Sequence, residues 1–135
     1  MFFSKYSASG NDFLLTHTFK YQANSYRDIA KIICHRQKGI GADGLIVLKP
    51  HNIYDIEWEF YNADGSQPNM CGNGTRATAM YARDFGLAAQ KQKILTKAGV
   101  INVELQENMV ESELTQAVIL QKDIIEFNIK WWLID

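Results

Sequence analysis

Apolar and polar positions alternate most cleanly over residues 55–62, DIEWEFYN. There Ile56, Trp58, Phe60 and Asn62 share one face, and Asp55, Glu57, Glu59 and Tyr61 the other. A period of two marks a half-buried strand, and it carries Asn62 toward the apolar side. Aromatic and aliphatic residues at 2–7 and 13–19, broken by SASGND, predict two short strands joined by a turn. Over 26–37, YRDIAKIICHRQ, the residues Ile29, Ile32, Ile33 and Arg36 recur at helical spacing. Asn24 or Ser25 would cap that helix, and Gly39 follows its end. The apolar run 44–49 is too short for a helix, and ADGSQPN is loop chemistry. Residues 73–86 predict a second helix whose faces are nearly all small or apolar, so protein should surround it. Strands are expected at 93–97, 100–106, 109–114 and 117–121, the first two meeting around Ala98 and Gly99. In the tail, EFNIKWWLID, Phe127, Ile129, Trp131 and Leu133 alternate as in a strand that runs to Asp135 without turn or cap. Such an edge invites pairing with another chain, and a chain cut from a longer protein is the simpler account.

Composition narrows the function classes. A chain of 135 residues, 47% hydrophobic and 21% charged, suits one ordinary globular core. A net charge of -1 with scattered lysines and arginines argues against nucleic-acid and membrane-surface partners. No apolar run reaches the roughly 18–20 residues of a membrane span, and no secretory leader is expected. Two cysteines make no disulfide framework, which points to a reducing cytoplasm. His17, His35 and His51 stand too far apart for a local ligand pair, so no metal site is expected.

Residues 39–44, GIGADG, match a dinucleotide-binding fingerprint letter for letter, but in the wrong context. The fingerprint needs a strand before it and a helix after it, and here the order is reversed. The segment reads instead as a tight connection in which glycine supplies unusual backbone angles. Residues 69–76, NMCGNGTR, place Cys71 where a loop turns into the second helix. A thiol at the positive end of a helix dipole is favoured as thiolate. The N–H groups of Gly72, Asn73 and Gly74 can bind an anion such as a carboxylate. Base and carboxylate site side by side suit removal of a proton alpha to a carboxylate. The alternative for Cys71 is a small buried hydrophobe, and the Gly-Asn-Gly context favours chemistry. Cys34, inside an apolar helical face, reads as core. Asn11 in the first turn and Asn62 at the end of its strand serve either turn and backbone satisfaction or a polar ligand.

Four segments together are specific: KYSASGNDFLL (5–15), HRQKGIGADGLIVL (35–48), FYNADGSQPNMCGNGTRATAMYA (60–82) and KAGVINVEL (97–105). In order and spacing they resemble the diaminopimelate epimerases over about residues 1–120. The proline racemase group has a similar cysteine-glycine turn but different flanks. The resemblance implies an α/β (α+β) fold of two similar halves, each a mostly antiparallel curled sheet around a central helix, with the active site between them. It implies interconversion of LL- and meso-diaminopimelate without pyridoxal phosphate, metal or other cofactor, on the bacterial route to lysine and peptidoglycan. One thiolate takes the alpha proton from one face while a second thiol protonates the other. Carried onto this chain, the resemblance makes Cys71 the first thiol, with Gly72 and Asn73 donating backbone N–H groups to the reacting carboxylate. Asn11 and Asn62 match positions that hold the substrate's polar ends. Many members have glutamine at the position of Gly44, so a contact there would come from backbone.

A family enzyme is about twice this length, and no second cysteine-glycine turn is present. Residues 1–115 are therefore expected to form the N-terminal epimerase-like domain, and 116–135 the start of a second. The expected partner is a missing C-terminal half, or a second copy in a homodimer. The remaining alternatives are a non-catalytic carboxylate-binding half-domain and another cofactor-independent racemase.

Overall fold

The structure, a computed structural model, describes residues 2–19, 25–107 and 109–113, and the backbone of 119–126 and 129–134. Seven strands form one sheet in chain order: β1 (Ser4–Ala8), β2 (Asn11–His17), β3 (Gly44–Lys49), β4 (Ile56–Asn62), β5 (Lys91–Thr96), β6 (Gly99–Gln106) and β7 (Met109–Ser112). Helix α1 (Arg27–Ile33) links β2 to β3, and α2 (Gly72–Asp84) links β4 to β5. Those two neighbouring pairs are parallel, and the other four are antiparallel. The expected strands are thus present with shifted ends, and the first turn shrinks to Ser9 and Gly10, both at positive φ.

The β3–β4 hairpin decides where the helices lie. It reverses strand direction between two crossovers that step the same way along the sheet. Crossovers are overwhelmingly right-handed, so such a reversal sends the second helix to the opposite face. The side-chain parity agrees. Leu14, Leu45, Val47 and Tyr61 pack with Tyr26, Ala30 and Cys34 of the α1 region. Phe13, Leu15, Ile46, Leu48, Trp58 and Phe60 face Ala77, Tyr81 and Ala82 of α2. Helix α2 touches β1 and β7, the two edges of the sheet, as well as β2, β3 and β6. The sheet therefore curls around α2, as the resemblance implies. Between β1 and β7 remains a gap of about 260 Å³ bordered by Ser7, Ser9, Arg76 and Val110.

Helix α2 is buried on nearly all sides, as its composition predicts. Its far end is braced by Tyr81, whose hydroxyl lies 2.7 Å from His17 Nδ1 and whose ring stacks on Phe85 at 4.3 Å. Tyr6 donates to Asp84 at 2.7 Å, and burial followed by this bond pushes its phenol well above the usual range.

Helix α1 differs from its expected span of 26–37. It stops at Ile33 because the following loop folds back onto its carbonyls: Gly41 N donates to Ile33 O at 2.9 Å and Ala42 N to Cys34 O at 3.1 Å. A Cβ at Gly39 would stand 2.3 Å from Ile32 O, so only glycine passes there. The buried stripe is Tyr26, Ala30 and Cys34, while Ile29 and Ile32, which recur at helical spacing, are 36% and 66% exposed. The N-cap is Tyr26, without a side-chain cap bond, rather than Ser25, which stands one residue earlier and accepts from Arg27 N at 3.1 Å; Asn24 lies outside the described residues.

Strands β8 (Ile119–Glu126) and β9 (Ile129–Ile134) pair with each other as a two-stranded antiparallel sheet. The strand expected at 117–121 thus continues to Glu126, and the tail strand finds its partner within the chain. The expected domain boundary at 115/116 and the side chains of Trp131 and Trp132 lie outside the described residues.

Candidate active site around Cys71

Because β4 runs against β2 and β3, its C-terminal end meets their beginnings. Asn11 opens β2, Gly44 opens β3 and Asn62 closes β4, with Phe13, Gly44 and Asn62 in register across the three strands. The loop after β4 returns at the same end. Asn62 N and Nδ2 donate to Ser66 O and Oγ at 2.8 and 3.0 Å. Ser66 donates from Oγ and N to Asp64 at 2.6 and 2.8 Å, which holds that carboxyl below its ordinary range. Gly65, at φ +85°, is buried against the Arg27 and Lys31 side chains. Farther on, Asn69 O accepts from Ala98 N at 3.1 Å.

Cys71 then caps α2. Its backbone is extended, and its Sγ accepts from Gly74 N at 3.3 Å. Its carbonyl accepts from Thr75 N at 2.8 Å and from Thr75 Oγ1 at 2.9 Å. The first N–H groups of a helix have no acceptor within it, so those of Gly72 and Asn73 face outward beside the sulfur. Negative charge developing there meets the positive end of the helix dipole. Cys71, Gly72 and Asn73 are each half-buried, and Gly74 beneath them is buried.

A polar network ties this helix start to the sheet. Asn73 Nδ2 donates to Asn11 Oδ1 at 2.7 Å, and Arg76 donates to Asn73 Oδ1. Asn11 Nδ2 donates to Asp43 Oδ2 at 3.1 Å, which also accepts from Asp12 N at 3.0 Å. Arg36 donates to both Asp12 oxygens at 3.0 and 2.8 Å and to Asp43 Oδ1 at 3.1 Å. Lys5 reaches Asp12 at 3.1 Å and Gly41 O at 2.8 Å. The Arg36 guanidinium, helped by Lys5, holds the Asp12 carboxyl far below its ordinary value.

The structure brings Cys71, Gly72, Asn73 and Asn11 into one cluster. Asn62 stands at the same sheet end two strand spacings away, about 10 Å, and binds its own loop. Gly44 is buried, and its backbone lies in the ladder between Phe13 and Asn62. Cys34 is 1% exposed, and burial pushes its thiol up to about 11. It packs as core. Sequence reasoning missed Asp12, Arg36, Asp43 and Arg76. The one signal available was acidic residues placed directly beside strand-opening glycine and asparagine.

The family model for diaminopimelate epimerase matches residues 3–120. The diaminopimelate epimerase of a Nitratiruptor species is 56% identical over 131 residues, covering 97% of this chain and 52% of the relative. That of Campylobacter lari is 46% identical over 132 residues, with 98% and 52% covered. The chain thus spans about half the length of the curated relatives it matches. Among solved structures, a probable proline racemase from Agrobacterium radiobacter superposes with a TM-score of 0.70 at 11% identity, covering 90% of this chain and 44% of that one. A PhzF-family phenazine biosynthesis protein from Bacillus anthracis superposes at 0.65 and 19% identity, with 88% and 42% covered. At such identities the likeness concerns the fold. Among the described residues, no helix is long and apolar enough to cross a membrane.

Proposed function

Because the chain belongs to the diaminopimelate epimerase family, we propose that it supplies one of the two thiols of a cofactor-independent amino-acid epimerase. The enzyme acts on diaminopimelate in the cytoplasm of a bacterium, on the route to lysine and peptidoglycan. The observation that carries the reading is Cys71 Sγ at the N-cap of α2, beside the outward N–H groups of Gly72 and Asn73.

Cys71, as thiolate, takes the alpha proton, and the C–H electron pair moves onto carbon and into the adjoining carboxylate. An amino-acid alpha proton is very weakly acidic, so this charge needs fixed donors waiting for it. The N–H groups of Gly72 and Asn73, at the positive helix end, meet it without reorganisation. Asn11, held by Asn73, and Asn62 take the substrate's other polar groups. A second thiol, from a further half or a second copy, delivers a proton to the opposite face, inverting the centre. Each thiol ends in the other's starting state, and the reverse turnover resets both.

The test is alpha-proton exchange of LL-diaminopimelate in heavy water, followed by NMR, with Cys71→Ser beside the wild-type chain. Serine keeps an oxygen at the cap to accept from Gly74 N, so the helix start survives while the thiol is gone. The alpha signal should decay with the wild-type chain and persist with the variant. Exchange that survives Cys71→Ser overturns the reading, whereas none at all from a folded wild-type chain means that the thiol stands in a site half built without its partner half.

A further inference from the structure

An asparagine amide is nearly the same shape either way round, so its orientation is set by the chemistry at its two ends. Here a line of donors and acceptors runs across three elements. Arg76 donates to Asn73 Oδ1, Asn73 Nδ2 to Asn11 Oδ1 at 2.7 Å, and Asn11 Nδ2 to Asp43 Oδ2 at 3.1 Å. The two ends of the line are charged and chemically one-sided. A guanidinium has no acceptor, and a carboxylate has no donor. Two neutral amides alone would bond equally well in the reverse sense. With Asp43 at one end and Arg76 at the other, only one sense leaves every contact satisfied.

We infer that Asp43 and Arg76 are positioning residues that lock Asn11 and Asn73 with their amide hydrogens toward the ligand side of Cys71. This rests on the proposed function and adds a selectivity to it. Both amide oxygens are turned into the line, so each asparagine offers an incoming group its second N–H. The backbone N–H groups of Gly72 and Asn73 add two more donors. The helix start therefore takes a carboxylate and refuses an ammonium group.

The Asp43 carboxylate is itself held. It accepts from Asp12 N at 3.0 Å and from Arg36 at 3.1 Å, as well as from Asn11. Arg76 lies three residues beyond Asn73, on the same face of α2, and is half-buried. The line thus joins the first residues of β2 and the residue before β3 to the first turn of the helix that Cys71 caps.

The experiment needs no turnover, so its outcome is separable from that of the exchange assay. Side-chain amide NMR of the isotope-labelled chain reads Asn11 and Asn73 directly. In the Asp43→Asn variant, both amide pairs should shift, and the Asn11 hydrogens should exchange with solvent about tenfold faster, because a bond to a charged acceptor is lost. Millimolar glutarate, a dicarboxylate, should shift the Asn11 and Asn73 amide signals of the wild-type chain, whereas 1,5-diaminopentane should not. The exchanged pair N11D/D43N keeps a donor facing an acceptor, and so the line, but replaces the Asn11 donor with a negative charge. It should fold and lose the glutarate response. Unchanged Asn11 signals in Asp43→Asn overturn the inference. So does a wild-type chain that ignores glutarate or answers the diamine, or an exchanged pair that still responds to glutarate.

Discussion

The Phe60 ring lies on Gly44 so closely that a Cβ at 44 would stand 2.4 Å from Phe60 Cε2 and 2.8 Å from Tyr61 O. Phe60 is paired with Ile46, so it reaches Gly44 along the diagonal of the β3–β4 ladder. Gly44→Gln should therefore destabilise the chain by about 1–3 kcal/mol, the usual cost of overpacking. Thermal unfolding measures it. Combining it with Phe60→Ala should give less than the sum of the two losses, since the second change vacates the space the first one needs. Strict additivity would show that Phe60 is not what excludes a side chain there.

Gly74 makes the opposite case. A Cβ there would sit 3.4 Å from Cys71 Sγ and from Ile46 Cδ1, which is ordinary contact. Gly74→Ala should leave stability unchanged or raise it by about 0.5–1 kcal/mol, because alanine favours helix. The alpha-proton exchange should nevertheless slow, since the added methyl crowds the sulfur. A variant both more stable and equally active would mean that the space beside Sγ is not used.

The two cysteines should separate cleanly under alkylation. Cys71 is half-buried, while Cys34 is 1% exposed and its thiol is pushed up to about 11. Iodoacetamide near neutral pH should modify Cys71 alone in the native chain, read by peptide mass. The raised Cys34 value also has a stability consequence. Its contribution is fully present below the ordinary 9.0 and is lost as pH rises toward 11. Cys34→Ala should flatten that alkaline fall in urea unfolding.

At the acid end the relevant pair is Asp12 and Arg36. The folded-state value of Asp12 lies below its ordinary 3.8, so its stabilisation is present above that pH. It disappears as pH falls through the lower folded value. Urea unfolding should show stability dropping below about pH 4, and Asp12→Asn should reduce the slope. Arg36 is 57% exposed, so added salt should shrink the effect. A slope indifferent to the substitution would remove Asp12 from the account.

How much of this was legible depended on the range of the interaction. The alternation over DIEWEFYN carried Asn62 to the correct face, and the small-residue run after Cys71 was enough to place a surrounded helix and its start. Those signals are local. The helical spacing of Ile29, Ile32 and Ile33 did not reveal which stripe of α1 is buried: Tyr26, Ala30 and Cys34 are the residues that pack against Leu14, Leu45, Val47 and Tyr61. Parallel and antiparallel neighbours leave the same alternation in a strand, so the helix read between each pair of strands was the sign of the two crossovers. The bonds from Asp43 to Asn11 and from Arg36 to Asp12 join segments far apart in the chain. No periodicity records them.

The seven strands are not stitched together evenly. The ladder between β4 and β5 is two residues long, Ile56 with Ile94 and Glu57 with Leu95, while its neighbours run over four to six positions. Beyond it, Asp55 adds bonds to Lys93 at 3.1 and 2.7 Å. The sheet is thus two pieces, β1–β4 and β5–β7, sharing one helix as their hinge pin. The β5–β7 meander is built from neighbouring hairpins and can open and reclose as a unit while β1–β4 stays paired. Amides of β6 and β7 should then lose their hydrogen-exchange protection before those of β2 and β3. The piece carrying Asn11, Asp43 and Asn62 is the one that stays shut.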